Sequence, residues 1–348
     1  FDANNLDYNN VVEVADVSGY STGSSITGAE DFATIAGGGT GSVVIGTGTL
    51  NVALSPNTPA AGIVVGNAAR VPFTTIRVST GADPVTIDAV EVERMGAAQD
   101  GAFSSIDLLD GTTMLPLDQN SKNLNSNHKA TFTKDYTVPG NTTMDIIVAG
   151  NMGTIGATYA GEYPVLAVNS ITLKGGTLTG TLPIVGNGMT TNGTLTIGSA
   201  TVSRGSYINA TSTNLEVGKT AYTFNAFQVA AGSAEDVTFS QVSLYQNGTA
   251  QLSEDLENFK LYRDGTFLAD GVVDGKYVSF TFSPLEIPKG QTFQFQVKAD
   301  LVDGSGRTVV LGVYRTTDLL VKGETYGYNI TPTYSGTGSS TNRPVLSD

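Results

Sequence analysis

The chain has 348 residues, a net charge of −14, only 14% charged residues and neither Cys nor Trp. Two to three ordinary domains fit that length. The missing Cys excludes a disulfide framework and any thiolate metal or redox site. Sparse Lys and Arg exclude a surface for a phosphate backbone, and no apolar run approaches the roughly 18 residues of a membrane span.

Apolar residues make up 40% of the chain, enough for a core, and their regular spacing argues against disorder. Low charge with abundant Thr, Ser, Gly and Asn suits an extracellular protein. The chain begins at Phe1 without a basic and apolar leader, which points to a removed signal peptide or an excised segment. Residues 1–48 hold six acidic residues (Asp2, Asp7, Glu13, Asp16, Glu30, Asp31) and no Lys or Arg. They read as an acidic arm, either solvated or used for docking or cation binding.

Strand patterns then follow one another along the chain. Val43-Val44-Ile45-Gly46 leads into Leu50-Asn51-Val52. Val85 and Ile87 precede Val90 and Val92, and Ile106-Asp107-Leu108-Leu109 ends at Asp110-Gly111. Farther on, Val237 and Phe239 precede Val242 and Leu244, with Ser240 between. Phe259-Lys260-Leu261-Tyr262 reaches Thr266-Phe267-Leu268 through Asp264-Gly265. Val278, Phe280 and Phe282, then Phe293, Phe295 and Val297, alternate with Ser, Thr, Gln and Lys. Such period-2 patterning predicts half-buried antiparallel strands. The Asp-Gly pairs at 264 and 110 predict type I′ hairpin turns, which need positive φ at both central residues. Asp270-Gly271 and Asp274-Gly275 are further turn signals. Ser253–Asn258 predicts a single short capped helical turn.

The chain also repeats itself. Val65-Gly66 matches Val217-Gly218, Phe73 matches Phe224, and Val85, Val90 match Val237, Val242. Asp110-Gly111-Thr112 matches Asp264-Gly265-Thr266, and Val138-Pro139 matches Ile287-Pro288. The offset shifts only where loops are expected, at Ser253–Asn258 and at the Asn-rich run 120–128. The fold class predicted is all-β: two tandem immunoglobulin-like β-sandwiches with a strand-rich N-terminal arm. The arm covers 1–48, the first sandwich 49–193 and the second 194–348. Val43-Val44-Ile45-Gly46 also resembles Thr194-Leu195-Thr196-Ile197-Gly198, so the arm looks like the closing part of a preceding repeat.

Val138-Pro139-Gly140-Asn141-Thr142-Thr143, Ile287-Pro288-Lys289-Gly290-Gln291-Thr292 and Lys260-Leu261-Tyr262-Arg263-Asp264-Gly265-Thr266 resemble the strands of tandem sandwich domains in prokaryotic surface proteins. The chain is similar, over about residues 50–330, to S-layer-like and cell-surface proteins of candidate-phylum bacteria, or to a related extracellular filament subunit. That resemblance implies an extracellular, repetitive, self-associating envelope role, although no S-layer-homology anchor or sorting signal is visible.

Chemistry is scarce. His128 is the single His, in the polar loop Ser126-Asn127-His128-Lys129, and reads as a solvated side chain. Asp107 with Asp110, and Asp270 with Asp274, read as turn residues rather than acid–base pairs. Gly37-Gly38-Gly39 and Gly186-Asn187-Gly188 lack the helix that a phosphate loop requires. Calcium is the one cation expected, with Asp2, Asp7, Asp300 and Asp303 as candidate ligands in runs that do not match the helix-flanked twelve-residue loop; no catalytic residue and no other cofactor is expected. Asn141, Asn192, Asn209, Asn247 and Asn329 begin glycosylation sequons.

The expectation is a secreted, non-enzymatic structural protein that self-assembles into an extracellular filament or surface layer. Its partner is itself, through β-strand complementation or edge packing, with no nucleic acid and no membrane span. The assembly residues expected are Val11, Val12, Val14 and Val17 in one arm strand, and Val43, Ile45, Leu50 and Val52 in the other. The alternative is an adhesin or carbohydrate-binding stalk that meets cell-envelope glycans through loops such as 120–129.

Overall fold

The computed structural model describes residues 48–118, 120–207, 214–315, 318–334 and 345–347. The arm residues Val11, Val12, Val14, Val17, Val43 and Ile45 lie outside these, as do Asp2, Asp7 and Asn209. The described residues belong to one compact unit.

They form strands almost throughout. The first half contains β1 (Thr49–Leu54), β2 (Gly62–Val65), β3 (Val71–Thr80), β4 (Val85–Ala97), β5 (Phe103–Asp110), β6 (Lys129–Phe132), β7 (Tyr136–Val138), β8 (Thr143–Met152), β9 (Tyr163–Leu173), β10 (Thr177–Thr179), β11 (Ile184–Val185) and β12 (Met189–Asn192). The second contains β13 (Ala200–Arg204), β14 (Asn214–Glu216), β15 (Tyr222–Ala231), β16 (Val237–Gln246), β17 (Leu256–Arg263), β18 (Thr266–Asp270), β19 (Val272–Asp274) and β20 (Tyr277–Ile287). It ends with β21 (Thr292–Leu301), β22 (Leu311–Gly312), β23 (Leu319–Gly323), β24 (Asn329–Ile330), β25 (Thr333–Tyr334) and β26 (Val345–Ser347).

Each half builds two main sheets in a sandwich-like arrangement. In the first, β10-β1-β3-β8-β5 forms one sheet and β11-β9-β4-β6 the other, with β7 also on β4. In the second, β18-β17-β21-β15-β13-β25 stands opposite β19-β20-β16-β23-β24, with β22 also on β16. Both sequences therefore adopt one pairing scheme. Val148 stands opposite Thr74 as Val297 stands opposite Asn225. Val138 pairs with Val85 as Ile287 pairs with Val237. Both halves close alike, by short parallel additions of β10 to β1 and β25 to β13.

Even the irregularities recur. A bulge interrupts β3 at Phe73 and β15 at Phe224, and both rings are 0% exposed. A second bulge follows Ile87 in β4 and Phe239 in β16. The extra residue reverses the side-chain alternation. That is why inward positions run Val85, Ile87 and then Val90, Val92, all nearly solvent-free.

Several local expectations are corrected. Asp264-Gly265 is the predicted tight turn, with φ of 46° and 85°. Asp110-Gly111 is not: the Asp110 carboxylate accepts the Thr112 and Thr113 amides, and the positive φ of 59° falls on Met114. Gly111 is needed for another reason, since a Cβ there would lie 2.7 Å from the Asp145 carbonyl oxygen. Ser253–Asn258 makes a turn but no helix. The Asp255 carboxylate is engaged by Arg307 and the Gln251 amide, and Leu256 enters β17 and the core. Asp107 is a fully buried strand residue of β5, not a turn residue. Leu50 and Val52, expected with the assembly arm, are 0% and 2% exposed in β1, which β3 and β10 flank on both edges.

Candidate functional site at the seam between the repeats

The loop from β2 to β3 carries Ala68-Ala69-Arg70, and Arg70 points into the seam where the two halves meet. Its backbone is left-handed, with φ of 47°. The Asn151 Oδ1 accepts the Arg70 amide at 2.8 Å and so holds that conformation. The guanidinium is 1% exposed, and its Nη1 donates to the Met114 carbonyl at 3.0 Å and to Gln241 Oε1 of the second half at 2.9 Å. Gln241 returns a hydrogen bond from Nε2 to the Thr113 carbonyl at 3.0 Å. Asp107, fully buried, and Asp318, 2% exposed, supply the opposing charge.

Burial dominates the electrostatics. Desolvation pulls Arg70 below its ordinary pKa against the attraction of both carboxylates. Desolvation likewise pushes Asp318 up to about 6, although the Tyr314 and Arg315 amides and two cations favour its charged form. A buried charge cluster of this kind specifies how two surfaces meet more than it stabilises them.

Backbone contacts extend the seam. Ala68 bridges antiparallel to Ile330, the Ala69 amide donates to the Asn329 carbonyl at 2.8 Å, and the Tyr328 hydroxyl donates to the Ile63 carbonyl at 2.9 Å. Glu235, 4% exposed, accepts the Gly198 and Thr325 amides, tying the connector between the halves to the turn after β23. The connector borders an open cavity of about 570 Å³.

A second recess, of about 390 Å³, opens along the seam between Asp118, Asn120, Lys122 and Lys134 on one side and Asp274 and Tyr277 on the other. Lys134 and Asp274 pair across its rim at 3.0 Å, both well exposed. Tyr277 packs on Tyr245, and Tyr245 on Tyr314, each with 5.0 Å between ring centres. Burial pushes the Tyr277 hydroxyl up to about 12. Polar groups beside an aromatic cluster suit a hydroxylated ligand.

The sequence candidates sit elsewhere. His128 is half-exposed as expected, yet its Nδ1 lies 2.7 Å from Asp100 Oδ2 and beside Arg94, so it is tied into an ionic cluster. Asp300 accepts the Ala221 amide at 2.6 Å and Asn258 Nδ2 at 2.7 Å, and the amide holds its carboxyl below the usual range. The Asp303 carboxylate takes the Gly304 amide. Among the described residues no group of three or more His, Asp or Glu converges as a metal site. Asn141 and Asn247 are exposed, while Asn192 and Asn329 are partly buried, and Asn192 Oδ1 accepts the Thr194 and Leu195 amides. Arg70 escaped sequence reasoning; its one signal is a lone Arg inside the apolar run Ala68-Ala69-Arg70-Val71-Pro72.

No protein-family model matches the chain, and no curated protein does. Among solved structures, the secreted serine protease VesC from Vibrio cholerae aligns at 12% identity over 81% of this chain and 52% of its own, with a TM-score of 0.18. This chain thus spans about half of that one. A chaperone–tip adhesin complex of CFA/I fimbriae aligns at 9% identity over 79% of this chain and 98% of its own, with a TM-score of 0.19. The C-terminal domain of the Streptococcus agalactiae polypeptide BspA aligns at 10% identity over 82% of this chain and 100% of its own, with a TM-score of 0.18. TM-scores this far below 0.5 establish neither a shared fold nor a shared function.

Proposed function

We propose that the chain is a rigid tandem-repeat building block of an extracellular surface layer or filament. Residues 49–193 and 194–348 are its two sandwich domains, and 1–48 is an arm that adds a strand to a neighbouring copy. The observation that carries this reading is the buried seam around Arg70. Two repeats joined by a flexible linker would need neither a buried charge cluster nor a backbone bridge. A stiff two-repeat rod is what a periodic assembly requires. The protein acts at the cell surface and performs no chemistry.

Negative-stain electron microscopy tests this, with the full chain and a chain lacking residues 1–46, each with and without calcium. The full chain forms ordered filaments or sheets and the shortened chain stays dispersed. Dispersed particles of the full chain under every condition refute the reading. The 390 Å³ seam recess, where Tyr277 lies beside Asn120, Lys134 and Asp274, favours a second role, binding envelope glycans, which a glycan array reads directly.

A further inference from the structure

The recess on the seam holds hydrogen-bond donors that the protein itself leaves unused. Tyr277 lines it and is 6% exposed, yet its hydroxyl is buried without a hydrogen-bond partner. Arg315 acts electrostatically on that hydroxyl, and its own Nη1 is likewise buried without a partner. A guanidinium only donates, and a phenol has one proton to give. Even if Arg315 donated to the phenolic oxygen, the hydroxyl proton would still lack an acceptor. Buried polar groups are nearly always paired, so two unpaired donors side by side call for an explanation. Both lack the same thing, an acceptor.

The charged groups around the recess narrow the chemistry further. Lys122 is paired with Asp118 at 3.3 Å and Lys134 with Asp274 at 3.0 Å. Asp318, which also acts on Tyr277, is 2% exposed and accepts the Tyr314 and Arg315 amides. Lys276 lines the recess and has no ion pair among the described residues; its Nζ stands 5.9 Å from the centre of the Tyr245 ring. Exposed Asn120 also lines the recess, and its Oδ1 accepts from Arg315 Nη2. An entering oxygen takes the place of that amide in front of the guanidinium. The volume of about 390 Å³ falls within the roughly 300–1,000 Å³ of small-molecule sites.

We propose that this recess binds an acidic saccharide, whose carboxylate is held by the Tyr277 hydroxyl, Arg315 Nη1 and the Lys276 ammonium. This deepens the glycan-binding reading above and rests on it. A carboxylate offers acceptors only, about four lone-pair sites on two oxygens, and so can satisfy all three donors together. A sugar hydroxyl brings a proton of its own into a place already rich in donors. Hydrogen bonds to a charged acceptor are also roughly twice as strong as neutral ones. Thr133 and the Asp274 carboxylate, which line the same recess, remain for the sugar hydroxyls.

The test is ligand-observed NMR titration of the full chain with methyl β-glucuronide, methyl β-glucoside and acetate. The two glycosides differ only in the carboxylate, and acetate carries the carboxylate without the sugar. The expected result is that the glucuronide binds at least tenfold tighter than either of the others. Tyr277→Phe keeps the ring and removes an unsatisfied donor, so its urea midpoint should not fall. That variant and Lys276→Gln should each weaken glucuronide binding at least threefold and leave the glucoside unchanged. Glucuronide and glucoside of equal affinity refute the acidic preference while leaving the recess a glycan site. Acetate as tight as the glucuronide refutes the saccharide. A glucuronide preference untouched by both substitutions refutes this recess as the place of binding. No binding of either glycoside refutes this proposal and the glycan reading together.

Discussion

Replacing Arg70 tests the seam most directly. Arg70→Met keeps much of the aliphatic volume but removes the guanidinium. Asp107 then stays buried without the Arg70 charge, Asp318 keeps only Arg315 as a cation, and Gln241 Oε1 and the Met114 carbonyl lose a donor. Removing one member of a buried charge cluster costs about 3–5 kcal/mol, mostly the cost of leaving the partner charge unpaired. Against a total stability of roughly 5–15 kcal/mol, that is a large fraction. The loss falls at the seam rather than inside either sandwich, so coupling between the repeats should fail first. Guanidinium unfolding followed by tyrosine fluorescence and by far-ultraviolet circular dichroism would show it. The native chain should unfold in one coincident transition and Arg70→Met in two. Adding Asp318→Asn to Arg70→Met should recover part of the loss, because the orphaned charge is then gone. A loss below about 1 kcal/mol with coincident transitions would mean that Arg70 is tolerated rather than required, and the rigid-rod argument would fail.

Asp318 should make the seam pH-dependent. Its folded pKa of about 6 lies above the ordinary value of an aspartate, so the folded state binds the extra proton and stability falls as pH rises from about 4 to 6. Relative to Asp318→Asn, the native chain should gain up to about 3 kcal/mol over that span on acidification, and a flat difference in denaturation midpoints would refute this. Asp145, held low by Arg77, acts with the opposite sign: its contribution is present above the ordinary carboxylate range and is lost in acid, so Asp145→Asn should matter at pH 7 and cease to matter near pH 2. Phe224→Ala should cost about 3–5 kcal/mol by emptying a bulge-anchored core site, measured by urea unfolding, with Phe73→Ala costing a similar amount in the other repeat. Lys134→Ala should change stability by less than about 1 kcal/mol, since both partners of its ion pair are exposed.

Period-2 patterning located most of the strands, because one buried face forces that alternation on the chain whatever the topology. The break between Ile87 and Val90, matched between Phe239 and Val242, reads in the sequence only as a strand with shifted alternation; the pairing register makes it a bulge in each repeat. Self-similarity was legible for the same local reason: Phe73 and Phe224 fill equivalent core sites, and only a large apolar side chain fits them. Asp264-Gly265 was readable because two adjacent left-handed residues leave few choices. Asp110-Gly111 was misread because a side-chain oxygen captured the turn amides first. The seam was not legible at all. Arg70, Asp107, Gln241 and Asp318 are scattered along the chain, and a lone Arg or Asp in sequence carries no sign of its burial. Charge on that scale is solvated by default; it becomes buried only when two outer sheet faces meet and exclude water together. Local sequence thus determined the strands, the turns and the repeat. Only the packing of one repeat against the other decided which polar residues became structural.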